Sequence, residues 1–364
     1  MTDAISGHIT AFFLFDVANA IDLARAQRDL GAGVADRLAP KPTTPSYVQY
    51  RQPPTALDGS AVGMPETDGF SVRFKVFDYG VISVALMRTV AGTWADWLAE
   101  GLRCLENAAL PRNAERLARA LADRIGAAIT QPRKEFLAED YFVFTVTRVD
   151  GAPPADALVT SHGGTITQLL RGERSALSTE ERDEVLRHRI SYFADDVAIV
   201  TWNSAFIRDT ESGAQAAIAI LEFANSQLLE FRYYDELLDA ELERIYPQLQ
   251  RGGWLSNLVA RRYSRAVRQV HSLFIDVTEL TDRTENALKI VGDVYAARLF
   301  ALAAARLGLN EWKGSVQEKL RTLADIYRFA VEQTSMARGE FLELIVVLIL
   351  VLELVLILAG AMRL

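Results

Sequence analysis

Signatures of catalysis are what this chain most plainly lacks. Its 364 residues contain one cysteine, Cys104, which excludes an intramolecular disulfide framework and any zinc site built on cysteines. The four histidines, His8, His162, His188 and His271, are scattered, and none falls in an H-x-x-x-H or HExxH spacing, so no metal site is expected. There is no GxxxxGK[ST] loop to cradle a phosphate and no GxSxG turn to expose a nucleophile. The nearest approach to GxGxxG, the stretch GAGVAD beginning at Gly31, ends in Asp and follows a helical pattern. No cofactor is therefore expected. Positive charge is also in short supply. A formal net charge of -8 excludes a protein that coats DNA, because neutralising phosphates needs an excess of clustered Lys and Arg. The N-terminus has no basic region ahead of its apolar run, Ile9 to Phe15, and Asp16 cuts that run off; it reads as a strand and not a signal peptide. The large N-terminal part is accordingly expected in the cytoplasm.

What is present describes a folded protein. Half of the residues are hydrophobic and 24% are charged, and the length allows two domains. The first two thirds alternate short apolar runs with helical patterns. HITAFFLFD is a strand, followed by a helix around Ile21 to Leu30; GFSVRFKVFDYGVISVALMRT is a hairpin turning at Asp78 to Gly80; TWADWLAEGLRCLEN is a helix carrying Cys104 as a core thiol. Later, EDYFVFTVTRV is a strand, GGTITQLLRGE belongs to a helix, and DDVAIVTWNSAFIRDT is a hairpin turning at Asn203 and Ser204 ahead of a long helix. Strand, helix, hairpin, helix thus occurs twice. The expectation is an α+β fold with two β-α-β-β-α units forming a mixed domain over 1–212, with a Pro/Gly-rich irregular insertion at about 36–69. Between the units lies a connecting helix, PRNAERLARALADRIGAAITQP, and Ser178 and Glu181 have capping-box spacing at the start of another.

Residues 213–340 read as a stalk of long antiparallel helices. Leu221, Leu228, Leu238, Leu242 and Ile245 keep helical spacing, which is expected to stop at Pro247, with Gly252 and Gly253 marking a reversal. A second helix ends at Gly308, and a third begins near Glu311. From Leu344 to Met362 almost every residue is Leu, Ile, Val, Ala or Gly, close to the roughly 20 that a helix needs to cross about 30 Å of hydrocarbon. Residues 341–364 are therefore expected to form a C-terminal transmembrane helix; the alternative is an all-round buried helix in a soluble oligomer. Glu353 sits in its middle, with Arg338 and Arg363 roughly 22 Å and 15 Å away along the axis, out of reach on one helix. A protonated glutamate bonded to a neighbouring tail is favoured over proton or ion transport, so Glu353 is the candidate residue for helix association in the membrane.

Two polar clusters complete the candidate sites. Asp276, Glu279 and Arg283 share a helix face, with His271 nearby, and could hold a polar or metal-binding site, although ordinary ion pairing along a helix accounts for them more simply. Arg261, Arg265 and Arg268 also share a face and could meet RNA or anionic lipid. The acidic run Asp235, Glu236, Asp239, Glu241 and Glu243 lies about as far before the glycine pair as these arginines lie after it, which favours pairing between helices.

The stretches ISYFADDVAIVTWNSAFIRD, YYDELLDAELERIY, FIDVTELTDRTENALKIVGDVYAARLF and GEFLELIVVLILVLELVLIL resemble the YagE / required-for-meiotic-nuclear-division family. The resemblance implies a membrane-associated protein whose hydrophobic C-terminal helix follows long helices, and it carries no catalytic residues across. Together these readings point to a tail-anchored membrane scaffold that self-associates as a homo-oligomer and presents its α+β head to a cytoplasmic protein or ribonucleoprotein. The alternative is a membrane-bound enzyme or ligand sensor with a pocket between the two α+β units.

Overall fold

The computed structural model describes residues 4–31, 34–35, 54–64, 66–250, 273–278, 294–326 and 328. The chain divides into two compact units, Met1–Tyr233 with Leu280–Trp312, and Tyr234–Glu279 with Lys313–Leu364.

The first unit is a mixed α+β structure built on one ten-stranded sheet. Strands β1 (Ile5–Ile21), β5 (Phe70–Val76), β6 (Val81–Gly92) and β7 (Ile129–Val149) form its centre. The order across the sheet is β2-β3-β5-β6-β1-β7-β10-β9-β8, with β4 paired to β5. The short strands are β2 (Val34–Ala35), β3 (Thr55–Asp58), β4 (Glu66–Thr67), β8 (Arg189–Ile190), β9 (Val197–Val200) and β10 (Ser204–Arg208). Part of the Pro/Gly-rich insertion is thus regular structure, since β3 and β4 add on to β5.

Between these strands run α1 (Leu23–Leu30), α2 (Trp94–Leu105), α3 (Ala109–Arg124), α4 (Ala155–Arg171) and α5 (Thr179–Arg187); after the last strand come α6 (Glu211–Gln250) and α7 (Val294–Arg306), and α8 covers 309–326. Local chemistry starts several of them. Asp22 caps α1 by accepting from Arg25 N, and Thr93 and Asp96 form a reciprocal capping box on α2. Ser178 accepts from Glu181 N at 3.1 Å, while the Glu181 side chain turns to Arg171 and leaves the box half-made. The helical pattern does not stop at Pro247: α6 runs through it to Gln250.

Two strand–helix–hairpin runs meet in the middle of the sheet, where β1 pairs antiparallel with β7. In the first run the hairpin is β5–β6, and β6 pairs antiparallel with β1. In the second it is β9–β10, and β10 pairs parallel with β7. Among the described residues, α1, β2, β3 and β4 lie between β1 and the first hairpin, and α4, α5 and β8 lie between β7 and the second. The turn into β6 presses on β1: Gly80 has φ 93, and a Cβ there would stand 1.8 Å from Ala18 O, so this turn requires glycine.

Alternation along the central strands sends two different sets of side chains to the two faces. One set, including Ile9, Phe13, Phe15, Val72, Phe74, Val84, Leu86, Phe142 and Phe144, forms a single apolar core with Trp94, Trp97, Leu117, Leu121, Leu158 and Leu169 from α2, α3 and α4. Cys104 belongs to this core and is buried. The other set meets α6.

In the second unit, Lys319 Nζ lies 2.8 Å from Asp235 and 2.6 Å from Asp239, and Ser315 donates to Asp235 at 2.7 Å. These contacts join residues of α6 and α8. Asp235 and Asp239 of the acidic run therefore have partners on α8, while Glu241 pairs with Arg244 on α6 itself, and Arg261, Arg265 and Arg268 lie outside the described residues.

Candidate functional site

The face of the sheet beneath α6 carries a buried polar seam. In antiparallel register Lys75 stands opposite Ser83, Ser83 opposite Leu14, and Leu14 opposite Glu139, so these four form one row across β5, β6, β1 and β7. Both ends of the row grip α6. Lys75 Nζ lies 2.6 Å from Glu222 Oε2, with both side chains buried, and Glu139 pairs with Arg232. Glu222 and Arg232 are ten residues apart, about 15 Å along a helix. The row spans three strand spacings, about 14 Å. The match means that α6 crosses the strands and is registered on them by charge. Burial pushes the Glu139 carboxyl above its ordinary range, against the opposing pull of Arg232.

Further contacts fill the seam. The Tyr79 and Ser226 hydroxyls are 2.6 Å apart, and Asn225 Nδ2 donates to Leu221 O within α6. Glu222, Asn225, Ser226, Gln227 and Glu230 are all buried on this helix. On the sheet, the hydroxyls of Thr10, Ser83 and Thr145 have no hydrogen-bond partner among the described residues. Burying such groups costs about 1–3 kcal/mol each, so a seam with this many polar groups is not the cheapest way to seat a helix.

At one end of the seam lies a buried ion pair. Asp16 is 0% exposed, and its Oδ2 is 2.6 Å from Arg133 Nε. The Arg133 guanidinium lies 3.5 Å from the centroid of the Tyr233 ring, and Glu230 adds negative potential. Burial pushes the Asp16 carboxyl up to about 6, against the hydrogen bond and charge of Arg133. Beside the pair opens a cleft of about 450 Å³ between α3 and the outer arm of β7, lined by Val17, Arg119, Ala122, Asp123, Gly126, Ile129, Pro132, Arg133 and Phe136. Arg119 is committed elsewhere: two of its nitrogens reach Glu115 Oε1 at 2.9 and 2.7 Å, and its guanidinium stacks 4.2 Å from the Phe136 centroid. The cleft can therefore take a small molecule of mixed character, with Arg133 and Asp123 as the charged groups of its wall.

None of these residues stood out in the sequence. Asp16 registered only as the end of an apolar run, and Arg133 sits on an arm of β7 that reads as the tail of a connecting helix. The residues that did stand out fall elsewhere. Asp276 lies half-buried in a helical segment over 273–278. His271, Glu279, Arg283, Arg261, Arg265, Arg268 and Glu353 lie outside the described residues, as does the stretch 341–364. Among the described residues no three His, Cys, Asp or Glu side chains are grouped to hold a metal ion, and no helix is long and apolar enough to cross a membrane.

Residues 6–215 match the family model described as "Uncharacterized protein MJ0711, N-terminal domain". The chain belongs to that family. It is 26% identical over 204 residues to the uncharacterized protein MJ0711 of Methanocaldococcus jannaschii, an alignment that takes in 56% of this chain and 62% of that relative. No solved structure matches. The resemblance to the YagE / required-for-meiotic-nuclear-division family is thereby overturned: the matched region is that of a different family, and alternating apolar patterns with an apolar ending are shared by unrelated chains. The support that the resemblance lent to a membrane-anchored protein falls with it. The MJ0711 match takes in the whole central sheet, Asp16, Arg133 and the start of α6.

Proposed function

We propose that the chain is a non-catalytic scaffold that presents the surface of its first unit to a protein partner. One observation carries this reading. Tyr192 and Phe193 are 50% and 63% exposed, with ring centroids 4.8 Å apart, and they are held outward by a fixed loop. Their backbone N–H groups donate to the buried Asp196 carboxylate at 2.7 and 2.8 Å. Tyr295 stands 6.1 Å from Tyr192, and the neighbouring Val294 is 69% exposed. Large aromatic rings already fixed in place lose little freedom on docking, which is the property of residues that anchor interfaces.

A C-terminal membrane anchor with helices associating through Glu353 belongs to the same proposal, and what supports it is the apolar sequence from Leu344 to Met362. Alkaline extraction of membranes holding the full chain or a truncation ending near Gly339, followed by sizing in detergent, tests both halves. Retention of the full chain, release of the truncation, and a smaller complex for Glu353→Leu are the expected results. Release of the full chain as a soluble oligomer overturns the anchor. Substituting Tyr192 and Phe193 by Ser should lower the mass of the detergent-solubilised complex without changing its melting temperature.

The cleft favours a second reading, a ligand-responsive module. It opens where the two strand–helix–hairpin runs adjoin, at β1 and β7, beside the connecting helix α3. Thermal melting against a panel of nucleotides, lipids and metal ions tests it. A ligand present at a hundred times its dissociation constant stabilises by about 2.7 kcal/mol, and a flat panel counts against the reading.

A further inference from the structure

Resting on the ligand-responsive reading, we propose that the cleft between α3 and the arm of β7 binds a small organic anion through Arg133, and that binding is coupled to uptake of a proton by Asp16.

The lining divides the work. Val17, Ala122, Ile129, Pro132 and Phe136 make apolar walls that suit a hydrocarbon or aromatic body. Asp123 supplies an acceptor on the α3 side. Arg119 is held by Glu115 and Phe136 and acts as wall. Arg133 is different. It meets Asp16 through Nε, lies over Tyr233, keeps its side chain 16% exposed, and lines the cleft. A guanidinium has five N–H donors in a planar fork, so one arginine can hold a buried carboxylate and turn remaining donors to a second anion.

The coupling follows from charge. From β1, Asp16 faces Arg133; from α6, Glu230 and Tyr233 do; from α3, Arg119 and Asp123 line the same cleft. An incoming anion places a second negative charge on a cation that already serves Asp16, in a region where Asp16 has no access to water. Two anions sharing one cation in such a site cannot both ionise easily. Asp16 is the group that yields, since burial already holds its carboxyl at about 6 while Arg133 keeps its charge. On protonation, Asp16 relaxes its claim on Arg133 and the guanidinium turns to the ligand. By linkage, the anion binds more tightly as the pH falls through this range.

The test is calorimetric titration of the full-length chain, in detergent where membranes retain it, with benzoate and with inorganic phosphate at pH 5.5 and 7.5. Two buffers of different ionisation enthalpy count the protons. Benzoate is expected to bind about tenfold more tightly at pH 5.5 than at pH 7.5, with uptake of roughly half a proton at pH 7.5 and less at pH 5.5, where free Asp16 already carries most of its proton, and phosphate only weakly. Asp16→Asn should bind benzoate with no pH dependence and no proton uptake, and Arg133→Gln should lose binding. Gly126→Phe guards against a folding defect in the arginine variant: a Cβ at Gly126 meets nothing within 4 Å, so the ring should fill the cleft and abolish binding without unfolding the protein. Equal affinity at both pH values, or proton uptake that survives in Asp16→Asn, overturns the coupling. Phosphate binding as tightly as benzoate overturns the organic-anion assignment. A thermal panel that finds a ligand while neither anion binds overturns this inference and leaves the ligand-responsive reading standing.

Discussion

The two faces of the central sheet are filled in opposite ways. Under α2, α3 and α4 the side chains are apolar, and they interlock by shape; under α6 they include Lys75, Asp16, Ser83, Glu222, Asn225, Gln227 and Glu230. Apolar packing is non-directional, so many small rearrangements cost little. Charged contacts are not. The Lys75–Glu222 and Glu139–Arg232 pairs accept α6 in one register only, because a slide of one residue would leave charges buried without partners. The contrast suggests that the first face supplies stability and the second supplies position.

The largest effects should come from one buried residue on each face. Trp97 is 0% exposed, and Trp97→Ala should cost about 3–5 kcal/mol in urea unfolding, with no second substitution nearby restoring it. On the polar face Lys75→Met should cost about as much, roughly 3–5 kcal/mol, because it strands the Glu222 carboxylate. The double variant with Glu222→Leu should recover most of that loss. A double variant as unstable as the single one would erase the distinction between the faces.

A change of pH separates the faces more finely. Asp16 titrates at 3.8 when unexposed to the fold and at about 6 within it, so the folded state holds the proton more tightly. Its contribution is therefore present in full below 3.8 and lost as the pH rises through about 6, a swing of roughly 3 kcal/mol. The stability of the natural protein should gain on that of Asp16→Asn between pH 7.5 and 4 by an amount of that order; parallel stability curves would remove Asp16 from the account. The smallest effect should come from the hydroxyls without partners. Ser83→Ala and Thr10→Val should leave stability unchanged or raise it by up to about 1 kcal/mol, whereas substitutions of similar size among the apolar residues opposite should lower it.

Much of the fold was legible in the residues, and the reasons differ by element. The β5–β6 hairpin could be read from alternating Val72, Phe74 and Val76 and the turn at Asp78 to Gly80, because period-two burial and turn chemistry are local properties. The same holds for α2, started by Thr93 and Asp96. The outer arm of β7 could not be read. Its residues Thr130 to Glu135 are largely exposed and include Pro132, so they carry no alternation, and only pairing with β1 makes them a strand. Pro247 misled for a related reason: a breaker in local terms lies within a helix that continues to Gln250.

The site was hidden for a deeper reason. Asp16 and Arg133 are separated by more than a hundred residues, as are Lys75 and Glu222, and a lone acid or base in a chain that is 24% charged carries no signal of its partner. The sequence by itself determined the mixed α+β character, the two hairpins, the helix starts and the lack of metal and phosphate motifs, since each depends on residues within a few positions of one another. Only the tertiary structure decided that the two runs share one sheet, that α6 crosses it on matched charges, and that a buried carboxylate meets an arginine at the wall of a cleft. Those outcomes depend on strand order and on the sense in which each strand enters the sheet, which the packing of the whole chain sets.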